Sequence, residues 1–229
     1  MLVGDGRSAI VTEVSSEIGR AVTLGLLRQG WKVAGFGADP EVLAELSFEG
    51  GDRFVGFRYD LASPTRRAGL LAELRAALPS AELLINNLRD MTGDEPISAW
   101  SARSELVEAV LPILATSPAP MLINVQPLRA PHEAPSPFRT AFVRMGEVLE
   151  RELAPRGIRV TNLGPASFEH PSVDQLVSCI EWLVQGPKDV HIGELVVTQG
   201  RCASAPKPHL RLLPSLPSQG LDSAGGQRS

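Results

Sequence analysis

Short apolar runs alternate with stretches of helical period along most of this chain. Residues 8–12 read as a buried strand, and residues 20–29 (RAVTLGLLRQ) place their apolar positions at helical spacing. Gly30 stops that helix before a second apolar run at 31–36. The spacing next predicts a short helix over 40–46, a strand over 54–57, and a helix after Ser63-Pro64, with Ser63 as cap and Pro64 in the first turn. Strands follow at 82–85 and 121–125, separated by a helix that includes 104–115. A long helix over about 136–154 carries Phe138, Phe142, Met145, Leu149 and Leu153 on one stripe, and Pro155-Arg156-Gly157 ends it. The last elements are a strand over 158–163, a helix over 173–183 and a strand over 194–197. This alternation predicts an α/β fold: a doubly wound parallel sheet of about seven strands with helices on both faces.

The chain has 229 residues, enough for one domain with a substantial core. That domain is expected to span 1–202. Residues 203–229 are rich in Pro, Ser and Gly and read as a mobile tail; Leu210, Leu212, Leu213 and Leu216 make a docking arm the competing reading. A net charge of −4 gives no basic surface for nucleic acid or an anionic membrane. No apolar run has membrane-spanning length and no signal-peptide pattern opens the chain, so the expected location is the cytoplasm. Cys179 and Cys202 lack CxxC or His-spaced partners, which argues for thiols without a metal site.

One segment departs from what its context demands. Between the first strand and first helix stands Thr12-Glu13-Val14-Ser15-Ser16-Glu17-Ile18-Gly19. A dinucleotide-binding turn here would use glycines, both to turn tightly and to let backbone amides approach a pyrophosphate at the helix N-terminus. Glu13 and Glu17 bring a Cβ and a negative charge instead. Like charges about 4 Å apart repel by roughly 1 kcal/mol in water and roughly 4 at an effective dielectric of 20. Gly19 is retained.

Over about residues 7–200 the chain resembles the short-chain dehydrogenase/reductase family, whose domain is Rossmann-like. AIVTEVSSEIGRAV stands where that family has TGxxxGxG, and YDLAS matches its adenine-contacting Asp, here Asp60. LLINNLRD stands for the family's NNAG, with Asn87 retained and Leu88-Arg89 in place of the small pair. RELAPRGIRVTNLGPA and GELVVTQG match the segments after the active-site helix and at the closing strand. The resemblance implies a Tyr acid/base with a Lys four residues on, and a Ser that holds the substrate carbonyl. Anchored on ELAPRGIRV, the Tyr position falls on Pro135, the Lys position on Arg139 and the Ser position on Gln126-Pro127. No other register rescues the pair, because the one tyrosine is Tyr59 and no lysine lies between Lys32 and Lys188. Arg139 keeps a charge but not the proton-transfer chemistry. The second strand ends at Gly37 without an acid or base for the ribose; Asp39 more simply caps the next helix. The stretch between Asn87 and Met121 is short for the family, and Gly164-Pro165 leads directly towards Pro171 without the usual lid.

These departures imply a degenerate, non-catalytic member with no nicotinamide cofactor of its own. It is similar to the inactive partner in a heteromeric short-chain dehydrogenase, of the type acting on hydroxyacyl-CoA compounds in anaerobic toluene breakdown. The resemblance thus implies a hetero-oligomer, with a heterotetramer as one form, in which an active paralogue carries NAD or NADP. Two other readings stay open: a cofactor-independent isomerase, cyclase or lyase using Glu13, Glu17, Arg89, Gln126 and Arg139, and a scaffold that binds a small ligand. His132-Glu133 and Glu169-His170 lack metal-ligand spacing.

Overall fold

The structure, a computed structural model, describes residues 7–58, 64–87, 97–126, 137–165, 171–198 and 209–210. Strands and helices alternate as β1 (Ser8–Val11), α1 (Glu17–Arg28), β2 (Lys32–Gly37), α2 (Pro40–Gly50), β3 (Phe54–Arg58), α3 (Pro64–Ala77) and β4 (Leu83–Asn87). The second half continues with α4 (Ile97–Leu114), β5 (Met121–Val125), α5 (Pro137–Leu153), β6 (Arg159–Pro165), α6 (Val173–Gln185), β7 (Glu194–Val197) and β8 (His209–Leu210). One sheet runs in the order β3-β2-β1-β4-β5-β6-β7-β8. Seven strands are parallel, as expected. The eighth is new: two residues of the stretch read as a tail pair antiparallel with β7, Leu195 opposite Leu210 and Val196 opposite His209.

Residues of the central strands β1, β4 and β5 are buried on both faces, which is why these segments read as continuous apolar runs rather than alternating ones. Ile10, Leu84, Leu122 and Val160 face one layer with Leu74 of α3 and with Val107 and Val110 of α4. Ala9, Val11, Leu83, Ile85, Ile123 and Leu163 face the other, with Val22 and Leu26 of α1, Leu46 of α2, and Leu176 and Ile180 of α6. Phe36 stacks on Phe57 with ring centroids 5.1 Å apart, joining β2 to the edge strand β3. The reversal of strand order falls between β1 and β4, so the ligand-binding cleft of such a sheet lies at their carboxyl ends.

Local chemistry sets the boundaries that hydrophobic period alone misjudged. Helix α1 begins at Glu17, three residues earlier than its apolar spacing suggests, because Ser16 caps it. Asp39 caps α2 as expected, its side chain accepting from Glu41 N at 2.9 Å. Gly30 and Gly157 adopt φ of +85° and +72°, and each ends the helical segment before it. The proposed cap at Ser63 lies outside the described residues.

Glycine also decides how closely α5 meets the sheet. A Cβ on Gly146 would lie 1.9 Å from Asn162 Oδ1 of β6, so the helix can sit there only without one. Gly69 of α3, by contrast, faces open space. Urea denaturation should therefore find Gly146→Ala less stable by about 1–3 kcal/mol, the range for overpacking. Gly69→Ala should be more stable by about 0.5–1 kcal/mol, from helix propensity and unfolded-chain entropy.

Candidate functional site

The turn from β1 into α1 forms the centre of the cleft. Glu13 takes φ +53°, the one positive φ outside glycine among the described residues. That conformation costs a residue with a Cβ about 1–2 kcal/mol, and it is the reason this position favours glycine. The turn holds it there through a compact set of hydrogen bonds. Ser16 N reaches Glu13 O at 2.9 Å, and Ser16 Oγ also donates to Glu13 O at 2.8 Å. The same hydroxyl accepts from Gly19 N at 3.0 Å and from Asn87 Nδ2 at 2.7 Å. Gly19 is required by contact rather than by torsion: a Cβ there would lie 2.2 Å from Glu13 O.

Thr12 and Asn87 lock the turn to β4. Asn87 N donates to Thr12 Oγ1 at 2.9 Å, and that hydroxyl donates to Asn87 O at 3.2 Å. Val14 is fully buried, and its amide donates to Phe36 O at 2.9 Å. It packs over the glycines of β2. A Cβ on Gly37 would meet Ser15 Oγ at 2.6 Å and Val14 Cγ2 at 2.9 Å. Position 37 is therefore shaped to receive the turn, and a ribose-binding side chain there would collide with it. Ser15 Oγ accepts from Asp39 N at 3.2 Å, while the Asp39 carboxylate is engaged with α2.

These residues are a poor match for a pyrophosphate. The Ser16 hydroxyl and the Gly19 amide already satisfy each other. Glu13 and Glu17 add negative charge in the turn and the first helical residue, where the helix dipole would otherwise favour the phosphates.

A second polar assembly, which the sequence reading missed, crosses the face that meets α5. Asn86, Asn124 and Asn162 stand opposite one another on β4, β5 and β6. Asn86 Nδ2 donates to Asn124 Oδ1 at 2.9 Å, Asn124 Nδ2 to Asn162 Oδ1 at 3.0 Å, and Asn162 Nδ2 to Gly193 O at 3.3 Å. All three asparagines are at most 5% exposed. The pairing explains how three carboxamides lie within a hydrophobic sheet, since each buried polar group finds a partner. The signal was present as a recurring β-branched residue and asparagine: Ile85-Asn86, Ile123-Asn124 and Thr161-Asn162. Beyond the ladder, Gln126 N continues the β5–β6 pairing to Leu163 O at 2.8 Å.

Several expected positions fall elsewhere. Asp60, Leu88, Arg89, Pro127 and Pro135 lie outside the described residues, as do His132, Glu133, Glu169, His170 and Cys202. Position 139 is placed only by its backbone, in the first turn of α5. Glu13, Glu17, Gly19, Gly37 and Asn87 do converge around one turn. Cys179 of α6 is half-buried against the core, and burial pushes its thiol above the ordinary range, away from nucleophilic reactivity. Among the described residues no group of three His, Cys, Asp or Glu could hold a metal, and no helix is long and apolar enough to cross a membrane.

No protein-family model matches the chain. It is 24% identical to serine 3-dehydrogenase of Rhizobium radiobacter, over 81% of this chain and 91% of that protein. It is 22% identical to a probable NADP-dependent dehydrogenase of Haemophilus influenzae, over 83% of this chain and 92% of that one. A metagenomic short-chain oxidoreductase solved with NADP superposes with a TM-score of 0.71 at 22% identity, covering 85% of this chain and 98% of the other. Serine dehydrogenase from Escherichia coli gives 0.68 at 21%, covering 83% and 96%. The fold is that of the short-chain dehydrogenases/reductases.

Removing the Cβ at the strained position should be favourable. Glu13→Gly is expected to raise stability by up to about 1 kcal/mol, the left-handed penalty less the added chain entropy of glycine. Chemical denaturation of the two proteins checks this; an equal loss of stability would show that the glutamate is held by compensating contacts.

Proposed function

We propose that this chain is a non-catalytic short-chain-dehydrogenase-like subunit that assembles with, and supports, an active paralogue holding NAD or NADP. One observation carries the reading. Helix α5 and its approach, where the family's proton-transfer pair would stand, contain neither tyrosine nor lysine: the chain's one tyrosine is Tyr59, and no lysine occurs between Lys32 and Lys188. A carbonyl reduced by hydride needs a proton delivered in register, and an arginine, which stays protonated throughout the ordinary pH range, is a poor donor. The internally satisfied turn at Glu13 and Ser16 supports the same reading from the cofactor side. The relatives' dehydrogenase names describe proteins that differ from this chain over four-fifths of the aligned length or slightly less.

Two surfaces fit an assembly role. Val148 on α5 is 41% exposed and Trp182 on α6 is 46% exposed; in the family that the chain resembles, subunits meet through the helices on either side of the fifth strand and through the last helix and last strand. An exposed tryptophan is a typical anchor for a partner. The partner's substrate, following the same resemblance, is a hydroxyacyl-CoA compound.

The isolated chain should show no enhancement of NADPH or NADH fluorescence on titration, whereas co-expression with its genomic neighbours should yield a complex with a paralogue containing intact Tyr-x-x-x-Lys. Trp182→Ala or Val148→Arg should weaken that complex tenfold or more, as loss of about 1.4 kcal/mol or more at an interface would. Tight nucleotide binding by the chain alone would remove the proposal.

A further inference from the structure

We propose that the amino-terminal edge of the sheet, opposite the cleft, carries a surface site for a doubly charged phosphate group, formed by Arg7, Arg159 and Lys188. The three cations come from separate parts of the chain. Arg7 directly precedes β1, Arg159 opens β6, and Lys188 follows the end of α6. The loop leaving α6 draws them together. Arg7 Nη2 and Lys188 Nζ each donate to Val184 O at 3.4 Å, so the two charges stand no more than about 7 Å apart. Arg159 Nη1 donates to Val190 O, also at 3.4 Å, at the turn that Val190 N closes on Pro187 O.

Capping explains only part of this cluster. Cations near a helix C-terminus are favourable, and Val184 O at the end of α6 receives Arg7 and Lys188. Arg159 takes no part in that. Arg7 is held on its other sides: its guanidinium lies over the buried Trp31 ring, 4.0 Å from the centroid, and its Nε donates to Glu82 Oε2 at 3.2 Å. Glu82 thus answers Arg7. Among the described residues no carboxylate forms an ion pair with Arg159 or Lys188, and Asp189, next to Lys188 in the turn, is exposed. Arg159 is half-buried, where a charge is ordinarily paired. Burial, then the like charges of Arg7 and Arg159, push the Lys188 ammonium below the usual lysine range, against a smaller opposing effect of Glu82.

The ligand class follows from charge and shape. Arg7, Arg159 and Lys188 together exceed the charge of Glu82 by two, which matches a phosphate dianion. A planar carboxylate is met by the fork of a single guanidinium, whereas donors arriving from three elements suit tetrahedral oxygens. Lys188 Nζ and both guanidinium groups keep further N–H donors for them. The chain as a whole carries −4, so the cluster is a local concentration rather than a sample of a basic surface. It shares no residue with the turn at Glu13 or with α5, and it stands or falls separately from the subunit role.

Isothermal titration of the isolated full chain at neutral pH tests the proposal, with inorganic phosphate and phenyl phosphate as probes and ionic strength held constant by sodium chloride. Wild type should bind saturably at millimolar probe. Lys188→Gln should bind about tenfold more weakly, the factor a charge-assisted hydrogen bond carries, and Lys188→Arg should retain binding. Glu82→Gln should bind more tightly, because the opposing carboxylate is gone. Phenyl phosphate binding as tightly as inorganic phosphate would assign the site to the phosphate of a larger molecule; a preference for inorganic phosphate would assign it to the free ion. Circular dichroism checks that each variant is folded. Absence of saturable binding by wild type would overturn the proposal, as would unchanged binding in folded Lys188→Gln.

Discussion

The cleft is organised by the contact between the backbone of Gly19 and the carbonyl of Glu13. Because no side chain separates them, α1 can start directly beneath the turn that leaves β1, and Ser16 can cap the helix while holding the turn closed. Asn87 then ties the same hydroxyl to β4, and Val14 is drawn down over the glycines of β2. The carboxyl ends of β1, β2 and β4 and one helix N-terminus thus share a single compact joint. The positive φ at Glu13 is the local cost of that geometry, of order 1–2 kcal/mol, and the shared hydrogen bonds hold it in place.

The same joint separates the packing role of a phosphate-binding turn from its ligand role. Packing needs the close approach at position 19, and Gly19 provides it. Binding a pyrophosphate needs free amides and an electropositive helix end, whereas here the Gly19 amide is capped internally and two carboxylates have entered the segment. A side chain that reads a ribose would also have to leave position 37, which is occupied from above by Val14 and Ser15. The turn thus keeps the close packing of such a fold while two glutamates stand within its segment.

Much of this architecture was legible in the sequence. Every parallel strand and the helices between them followed from apolar runs and 3.6-residue spacing, because both sheet faces are covered and tolerate few polar residues. Boundaries were less legible where a side chain rather than a period decides them, as Ser16 does for α1. The asparagine ladder escaped because its logic is lateral: each asparagine looks like a polar defect within its own strand, and only the register of three strands turns them into partners. The buried oxygen of Gln126, which meets no hydrogen-bond partner among the described residues, was legible only as an unusual residue at a strand end, since whether an acceptor is met depends on neighbours distant in sequence. Strand β8 lacked any apolar run long enough to announce it.

The central claim is that this chain contributes shape and surface while a partner contributes the nucleotide. Native mass spectrometry of the complex isolated from its source, under conditions that retain cofactor, tests it most directly. The account predicts a mixed assembly whose bound NAD(P) equals the number of paralogue copies and leaves none for this chain. A homo-oligomer carrying one nucleotide per copy of this chain would contradict it.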